Sequence, residues 1–339
     1  MAITMAQVAK VAGTSRATVS DVLRNRWQDK GISRNTYKKV CKALEETEYM
    51  PNHLARSLVH GRTYTIGIQI PTFQCKHWAS VVKYYDIEAR KRGFHILLAA
   101  PAEWQAEREE ILRLCEYRVD GLIISLKVQT EIRSVSESLS AHNMFFVFHG
   151  DRAEEGGYCV LDDNEDQARL AVEHLIKLGH TRIAHIAGSL VGISGQERST
   201  GYCNTLKKHG LPLRDDYLQD AGYGLEEARD VMTGFLRLSE PPTAVYCASD
   251  TMALGAIEAI ESAGLRIPDD IAVVGHGDDL YYAPFYRIGL TTIRQPAEKL
   301  AATAVDMLVN LIEGRKVKQK VVLLPGELII RDSCGANKS

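Results

Sequence analysis

The sequence predicts a small all-α helix-turn-helix head joined to a larger α/β body with parallel sheets, and three observations carry that expectation. Residues 1 to 62 hold 11 Lys or Arg against 5 Asp or Glu, while the remaining 277 hold 30 against 38, so a basic head sits on an acidic body. The first fifty residues are filled by short apolar repeats at helical spacing. From Tyr64 onward, short apolar runs alternate with amphipathic stretches, the pattern of strands buried on both faces and linked by helices.

With 339 residues, 45% apolar and 25% charged, the chain has ordinary globular composition and room for two or three domains. Disorder, collagen and coiled-coil arrays are excluded. No run approaches the roughly 18 apolar residues of a membrane span, and Met1 to Lys10 lack a basic region followed by an apolar one. A cytoplasmic protein without a membrane partner is expected. The seven cysteines, Cys41, Cys75, Cys115, Cys159, Cys203, Cys247 and Cys334, are odd in number, scattered and never in a Cys-x-x-Cys pair. They read as reduced packing residues, with neither a disulfide framework nor a zinc site.

In the head, Thr4-Met5-Ala6-Gln7 is a capping box that starts a first helix. Val8, Val11 and Ala12 give that helix its apolar face, and Gly13 breaks it. Ser15 caps a second helix through about Leu23, with Val19, Val22 and Leu23 inward and Arg16, Ala17, Ser20 and Asp21 outward. Ser33 caps a third, carrying Tyr37, Val40, Cys41 and Leu44 at i, i+3, i+4 and i+7. Two short helices joined by a Gly-containing turn form the arrangement whose second helix enters a DNA major groove, and the basic balance agrees.

In the body, strands are expected at 64–70, 94–100, 119–125, 182–187, 243–248 and 271–274, with helices at 78–92 and 103–117. Gly-x-Gly-x-x-Gly after the first strand, the phosphate-binding Gly-x-x-x-x-Gly-Lys-Ser/Thr, the Gly-x-Ser-x-Gly elbow and His-Glu-x-x-His are all missing from the sequence. No catalytic residue, metal ligand or cofactor is therefore assigned.

Met5-Ala-Gln-Val-Ala-Lys-Val-Ala-Gly-Thr-Ser-Arg-Ala-Thr-Val-Ser-Asp-Val-Leu23 and Tyr49-Met-Pro-Asn-His-Leu-Ala-Arg-Ser-Leu58 resemble the DNA-binding head of the lactose-repressor (LacI/GalR) family of bacterial transcription regulators. The resemblance runs on through Val172-Glu-His-Leu-Ile-Lys-Leu-Gly-His, Ser249-Asp-Thr-Met-Ala-Leu-Gly255, Ile267-Pro-Asp-Asp-Ile-Ala-Val-Val-Gly275 and Leu290-Thr-Thr-Ile-Arg-Gln-Pro296. It implies a head over 1–50, a hinge helix and linker over 51–62, and a bilobed effector-binding and dimerisation domain over 63–335, similar to periplasmic sugar-binding proteins. The first lobe would take about 63–160 and 292–320, and the second about 161–291 and 321–331.

The resemblance also implies roles. Arg16, Ala17 and Asp21 match the positions that read the major groove. Arg16 suits guanine O6 and N7, while Asp21 can accept only from a cytosine amine or else pair with a nearby Lys or Arg. Thr4, Ser15, Thr18 and Ser20 fit phosphate contacts, with helix capping as the other role for Ser15. In a loop about three residues longer than the family's, Arg24, Arg26 and Lys30 either add phosphate contacts or belong to a solvated loop with Trp27 folded onto the third helix. Asn52, Leu54, Ala55, Arg56 and Leu58 match the hinge helix, Leu58 as the minor-groove wedge or as a packing residue.

For the effector, the resemblance implies contacts from His77, Trp78, Gln196, Arg198, Ser249 and Asp250, the last with helix capping as its alternative. The family carries an Asp where Gly277 stands. Either Asp278 replaces it or the effector lacks that hydroxyl contact. The partners implied are a pseudo-palindromic DNA operator, a sugar-like effector and a second copy of the chain, and the function a repressor of carbohydrate-metabolism genes. A solute-binding protein of the same fold is the alternative; a hydrolytic use of His276, Asp278 and Asp279 is disfavoured for want of a nucleophile.

Overall fold

The computed structural model describes residues 3–23, 25–49, 61–72, 76–126, 131–150, 157–278 and 288–336. The chain divides into two compact units, Met1–Thr63 and Tyr64–Ser339.

The first unit holds α1 (Met5–Ala12), α2 (Arg16–Leu23) and α3 (Arg34–Glu46). Both capping-box bonds form: the Gln7 amide donates to Thr4 Oγ1, and the Thr4 amide donates to Gln7 Oε1 at 2.7 Å. Gly13 then takes a left-handed φ of 63°, which ends α1 in a sharp turn without the steric cost of a Cβ. Ser15 and Ser33 cap α2 and α3, accepting from the amides of Thr18 and Thr36, each at 3.1 Å. Val8, Ala9, Ala12, Val19, Val22, Val40 and Ala43 form the core. The expected α1 face was one residue out, for Ala9 is buried while Val11 is exposed.

In the second unit, one six-stranded sheet has the order β11-β5-β4-β3-β1-β2, made of β1 (Thr65–Gln69), β2 (His95–Ala99), β3 (Gly121–Ile124), β4 (Phe146–His149), β5 (Cys159–Asp162) and β11 (Val321–Leu324). The other has the order β12-β10-β9-β8-β6-β7, made of β6 (Ile183–Ala187), β7 (Leu218–Asp220), β8 (Ala244–Cys247), β9 (Ala272–Gly277), β10 (Thr291–Arg294) and β12 (Glu327–Ile329). All pairings are parallel except β10 with β12. Parallel strands need crossover helices on both faces, which explains why the strands read as unbroken apolar runs.

The helices that matter for the site are α4 (Lys76–Lys91), α5 (Glu107–Glu116), α6 (Ile132–Ala141), α7 (Asn164–Lys177), α8 (Ile193–Lys208), α9 (Leu225–Leu236), α10 (Asp250–Ser262) and α11 (Ala297–Ile312). The expected lobe boundaries shift by a few residues. β5 runs to Asp162 and β11 pairs with it, so residues 161–162 and 321–324 belong to the first lobe. β10 pairs with β9, so residues 292–294 belong to the second. In each case the ladder's hydrogen bonds hold the strand until it has finished pairing, and the chain crosses only afterwards.

Gly255 in α10 lies against the Leu225 carbonyl oxygen, close enough that a Cβ would overlap backbone rather than a movable side chain. The replacement Gly255→Ala gains about 1 kcal/mol of helix propensity but costs roughly 1–3 kcal/mol in overpacking. Urea denaturation of the full chain is expected to give a net loss of stability; an unchanged midpoint would mean that α9 and α10 can separate freely.

His185 on β6 stacks on Tyr246 of β8, with ring centroids 4.7 Å apart and planes 8° apart, and its Nδ1 lies 3.0 Å from the Tyr246 carbonyl oxygen. Burial lowers its pKa from 6.5 to about 4. Between those values the unfolded chain binds the proton and the folded chain does not, so stability present above pH 6.5 is lost as pH falls toward 4. One such group contributes a slope of up to about 1.4 kcal/mol per pH unit. His185→Phe is therefore expected to flatten the pH dependence of the unfolding free energy across this window, and an unaltered slope would refute it.

Candidate functional site

Two groups of side chains stand out, one in each unit. In the head, Arg16 and Ala17 are exposed on the first turn of α2, with Ser20 and Asp21 half-buried. Asp21 Oδ1 accepts from Arg26 Nη2 at 3.1 Å, so of the two roles open to Asp21 the structure has the pairing with a basic neighbour, drawn from the longer loop. The same loop is pinned by Trp27, whose ring lies 4.7 Å from that of Tyr37 on α3. Ser15 caps α2 and Thr4 caps α1, and the Thr18 hydroxyl, within the first turn of α2, lies 2.9 Å from that of Ser15. Arg24, Asn52, Leu54, Ala55, Arg56 and Leu58 lie outside the described residues.

In the body, the strand ends of the first sheet converge. Gln69, His149 and Asp162 are the final residues of β1, β4 and β5, and all three are buried. His77 and Trp78 open α4, and the Trp78 ring meets the His149 ring edge-on at 5.3 Å. His149 is fixed from two sides: its Nδ1 lies 2.6 Å from the Tyr85 hydroxyl, and its carbonyl accepts from Ser125 Oγ at 2.8 Å. Burial lowers His149 to about 4, against the pull of the Asp162 carboxylate. Burial, reinforced by the Arg198 charge, lowers His77 to about 4 as well. Both rings are therefore neutral at pH 7. His77, His149 and Asp162 each offer one donor atom, all within 4.8 Å of one another, a grouping able to hold a metal ion.

On the second lobe, Arg198 is only 6% exposed. Its Nε donates to Asn164 Oδ1 at 3.0 Å and its Nη1 to the Ala248 carbonyl at 2.6 Å, which spends two of the five guanidinium donors. Burial lowers His276 on β9 well below its usual range, with the charge of Arg198 acting in the same sense. His276 Nδ1 bonds the Tyr246 hydroxyl at 2.9 Å, while the Nε2 atoms of His276 and His185 and the Oε1 of Gln69 are buried without a partner among the described residues.

Four of the expected effector contacts, Gln196, Ser249, Asp250 and Asp278, are engaged by partners within the protein. Gln196 is exposed, and its Nε2 donates to the Leu190 carbonyl at 2.8 Å. Residues two apart on a helix point in different directions, and here Gln196 is exposed while Arg198 is buried. Ser249 caps α10, accepting from the Met252 amide at 3.2 Å. That frees Asp250 from capping, and its buried Oδ1 instead accepts from Thr292 Oγ1 at 2.5 Å. Asp278 does not take the place of the missing Asp. Its side chain is 2% exposed, with Oδ2 held by Arg294 Nε at 2.7 Å and Oδ1 by Arg331 Nη2 at 2.6 Å.

Three buried polar residues that no sequence motif marks, Gln69, His149 and Asp162, stand at the ends of their strands, and Asn164 opens α7. The signal available was a polar residue ending each apolar strand run, at the carboxyl edge where such folds place ligands.

Comparisons with known proteins agree with this geometry. Residues 4–52 match the model described as bacterial regulatory proteins, lacI family, and residues 172–334 match that of a periplasmic binding protein-like domain. The chain is 32% identical to the HTH-type transcriptional repressor PurR of Actinobacillus pleuropneumoniae serotype 3, over 97% of this chain and 98% of that protein. It is 29% identical to the PurR repressor of Vibrio parahaemolyticus, with the same coverage. Among solved structures, the lac repressor dimer bound to operator and the anti-inducer ONPF aligns with a TM-score of 0.87 and 29% identity, over 98% of this chain and 99% of that one. The transcriptional regulator CelR in complex with cellobiose aligns with a TM-score of 0.73 and 29% identity, over 98% and 99%. A basic helix-turn-helix head and a two-lobed body whose strand ends gather buried polar groups thus belong to one architecture along nearly the whole length, and the chain is a member of the lacI family of bacterial regulatory proteins.

Proposed function

We propose that the chain is a homodimeric, operator-binding transcriptional repressor whose DNA affinity is set by a small effector in the cleft of the body, and that it works in the cytoplasm. The observation that carries this is the conjunction of an exposed Arg16 on the first turn of α2 with a buried, partly unspent Arg198 guanidinium at the strand ends. The first suits the reading of base edges, and the second suits a ligand oxygen. Two copies of the head on a two-fold axis would read a pseudo-palindrome.

The effector on this reading is a sugar or sugar derivative, packed on His77 and Trp78 and bonded by Arg198; the CelR relative binds cellobiose. A second reading, a nucleobase-like ring, is favoured by Asp278, whose carboxylate is occupied by Arg294 and Arg331 and so is lost as an acceptor for sugar hydroxyls. Thermal unfolding of the full chain against a panel of sugars and nucleobases separates the two, since the class that binds raises the midpoint.

Selection of bound duplexes from a randomised pool, with and without that ligand, tests the repressor role. A two-fold-symmetric site is expected, and recovery of no preferred sequence under either condition would refute it. Arg16→Ala is expected to weaken specific binding by roughly 1–3 kcal/mol, about five- to 150-fold, while leaving non-specific binding nearly intact. Arg198→Lys keeps the charge but loses the planar fork, and is expected to weaken effector binding by about 1.5–3 kcal/mol with operator recognition retained. A gel-shift titration in effector checks both.

A further inference from the structure

We propose that the first lobe carries a divalent transition-metal site formed by His77, His149 and Asp162. The three residues come from the start of α4 and the ends of β4 and β5, all elements of one lobe, and their donor atoms lie within 4.8 Å of one another. Two imidazoles and a carboxylate are the donor set of zinc and of other first-row ions held on one face with open positions. Metal–ligand bonds of about 2.0–2.2 Å bring such donors to roughly 3.4 Å from each other. Side-chain rotations that move each donor by on the order of 1 Å would close the cluster onto an ion.

The surroundings are those of a supported site. A metal-bound imidazole needs its second nitrogen held, and His149 Nδ1 is 2.6 Å from the Tyr85 hydroxyl, which leaves Nε2 for the ion. Asp162 is oriented likewise, its Oδ1 accepting from Gln167 Nε2 at 3.1 Å. Among the described residues, the charged groups acting on the cluster are its own Asp162 carboxylate and, from the opposite lobe, the Arg198 guanidinium. An ion would add a second positive charge facing Arg198, so its open positions suit an anionic oxygen ligand lying between the two. That last step rests on the effector reading of the cleft, whereas the metal site itself does not.

The test uses the untagged full chain, stripped by dialysis against a chelator and titrated with Co2+. Visible d–d absorption and calorimetry follow binding, and Zn2+ competes. One equivalent is expected, displaced by Zn2+. Asp162→Asn and His77→Gln are each expected to weaken binding tenfold or more, and Tyr85→Phe by about 10–100-fold through the loss of orientation alone. His142→Gln, on the exposed end of α6, should leave affinity unchanged. Circular dichroism verifies that the variants fold, and should Asp162→Asn fail, His77→Gln at a half-buried helix start carries the comparison. Absence of a Co2+ spectrum, or binding of wild-type affinity in a folded His77→Gln, would overturn the site. Failure of operator selection with Co2+ binding intact would instead count against the repressor reading alone.

Discussion

A guanidinium buried to 6% exposure is the constraint around which the cleft face of the second lobe is arranged. Burying a charge costs several kcal/mol unless hydrogen bonds replace the lost water, and here the Asn164 amide oxygen and the Ala248 carbonyl replace part of it. The neighbouring titratable groups follow suit. Arg198 acts with burial to keep His77, His185 and His276 uncharged. The result is one fixed positive charge among neutral imidazoles, an environment that favours a ligand bringing lone pairs, whether on a hydroxyl, a carbonyl or an anion.

The loop after β9 obeys a different electrostatic demand. Two arginines, Arg294 from β10 and Arg331 from the terminal segment, need a carboxylate, and Asp278 supplies both oxygens at 2.7 and 2.6 Å. The backbone must turn to deliver it: Gly277 has φ of 133° and Asp278 φ of 56°, both in the left-handed half where a β-carbon is strained. A glycine therefore stands where the family carries its hydroxyl-binding Asp, and the carboxylate one residue later ties three strands' worth of chain together. Gly275 has a packing reason, since a Cβ there would meet the Asp250 carboxylate. The Asp278 carboxylate at this strand end is thus spent on two arginines of the second lobe.

Much of this was legible in the sequence. The capping box, the three helices, the alternating body and the strand positions follow from patterns local in the chain, and each forms within a few residues of expectation. The pairing of Asp21 was legible only as one of two choices, because its partner Arg26 lies five residues away across a loop of unpredicted course. What stayed hidden depends on register and burial. Whether residues 321–324 end the first lobe or begin the second is decided by pairing with β5, some 160 residues earlier, which no local pattern encodes. The same holds for His149 and Asp162, ordinary polar residues in sequence that become a cluster only when β4 and β5 pair side by side. Gln196 was legible in type but not in direction, since at two-residue spacing on α8 it is exposed while Arg198 is buried.

The position of that cluster bears on how a ligand signal crosses the body. Asp162 ends β5 and, after one residue, Asn164 begins α7 and holds Arg198. The shortest covalent path between the lobes therefore has a ligand-bearing group at each end: a carboxylate in the first lobe, and a residue that positions the guanidinium in the second. A ligand touching both sides would fix the torsions of this two-residue link directly, with no long chain of packed side chains to bias. Such a ligand can move DNA affinity only by the difference in its affinity for the two lobe arrangements, typically about 1–3 kcal/mol of coupling. A ligand with equal affinity for both arrangements shifts nothing however tightly it binds. On the proposed reading, a ligand that contacts both Arg198 and the first-lobe cluster meets a cation on one face and imidazoles with a carboxylate on the other, which suits oxygen acceptors at one end and a hydrogen-bonding group at the other.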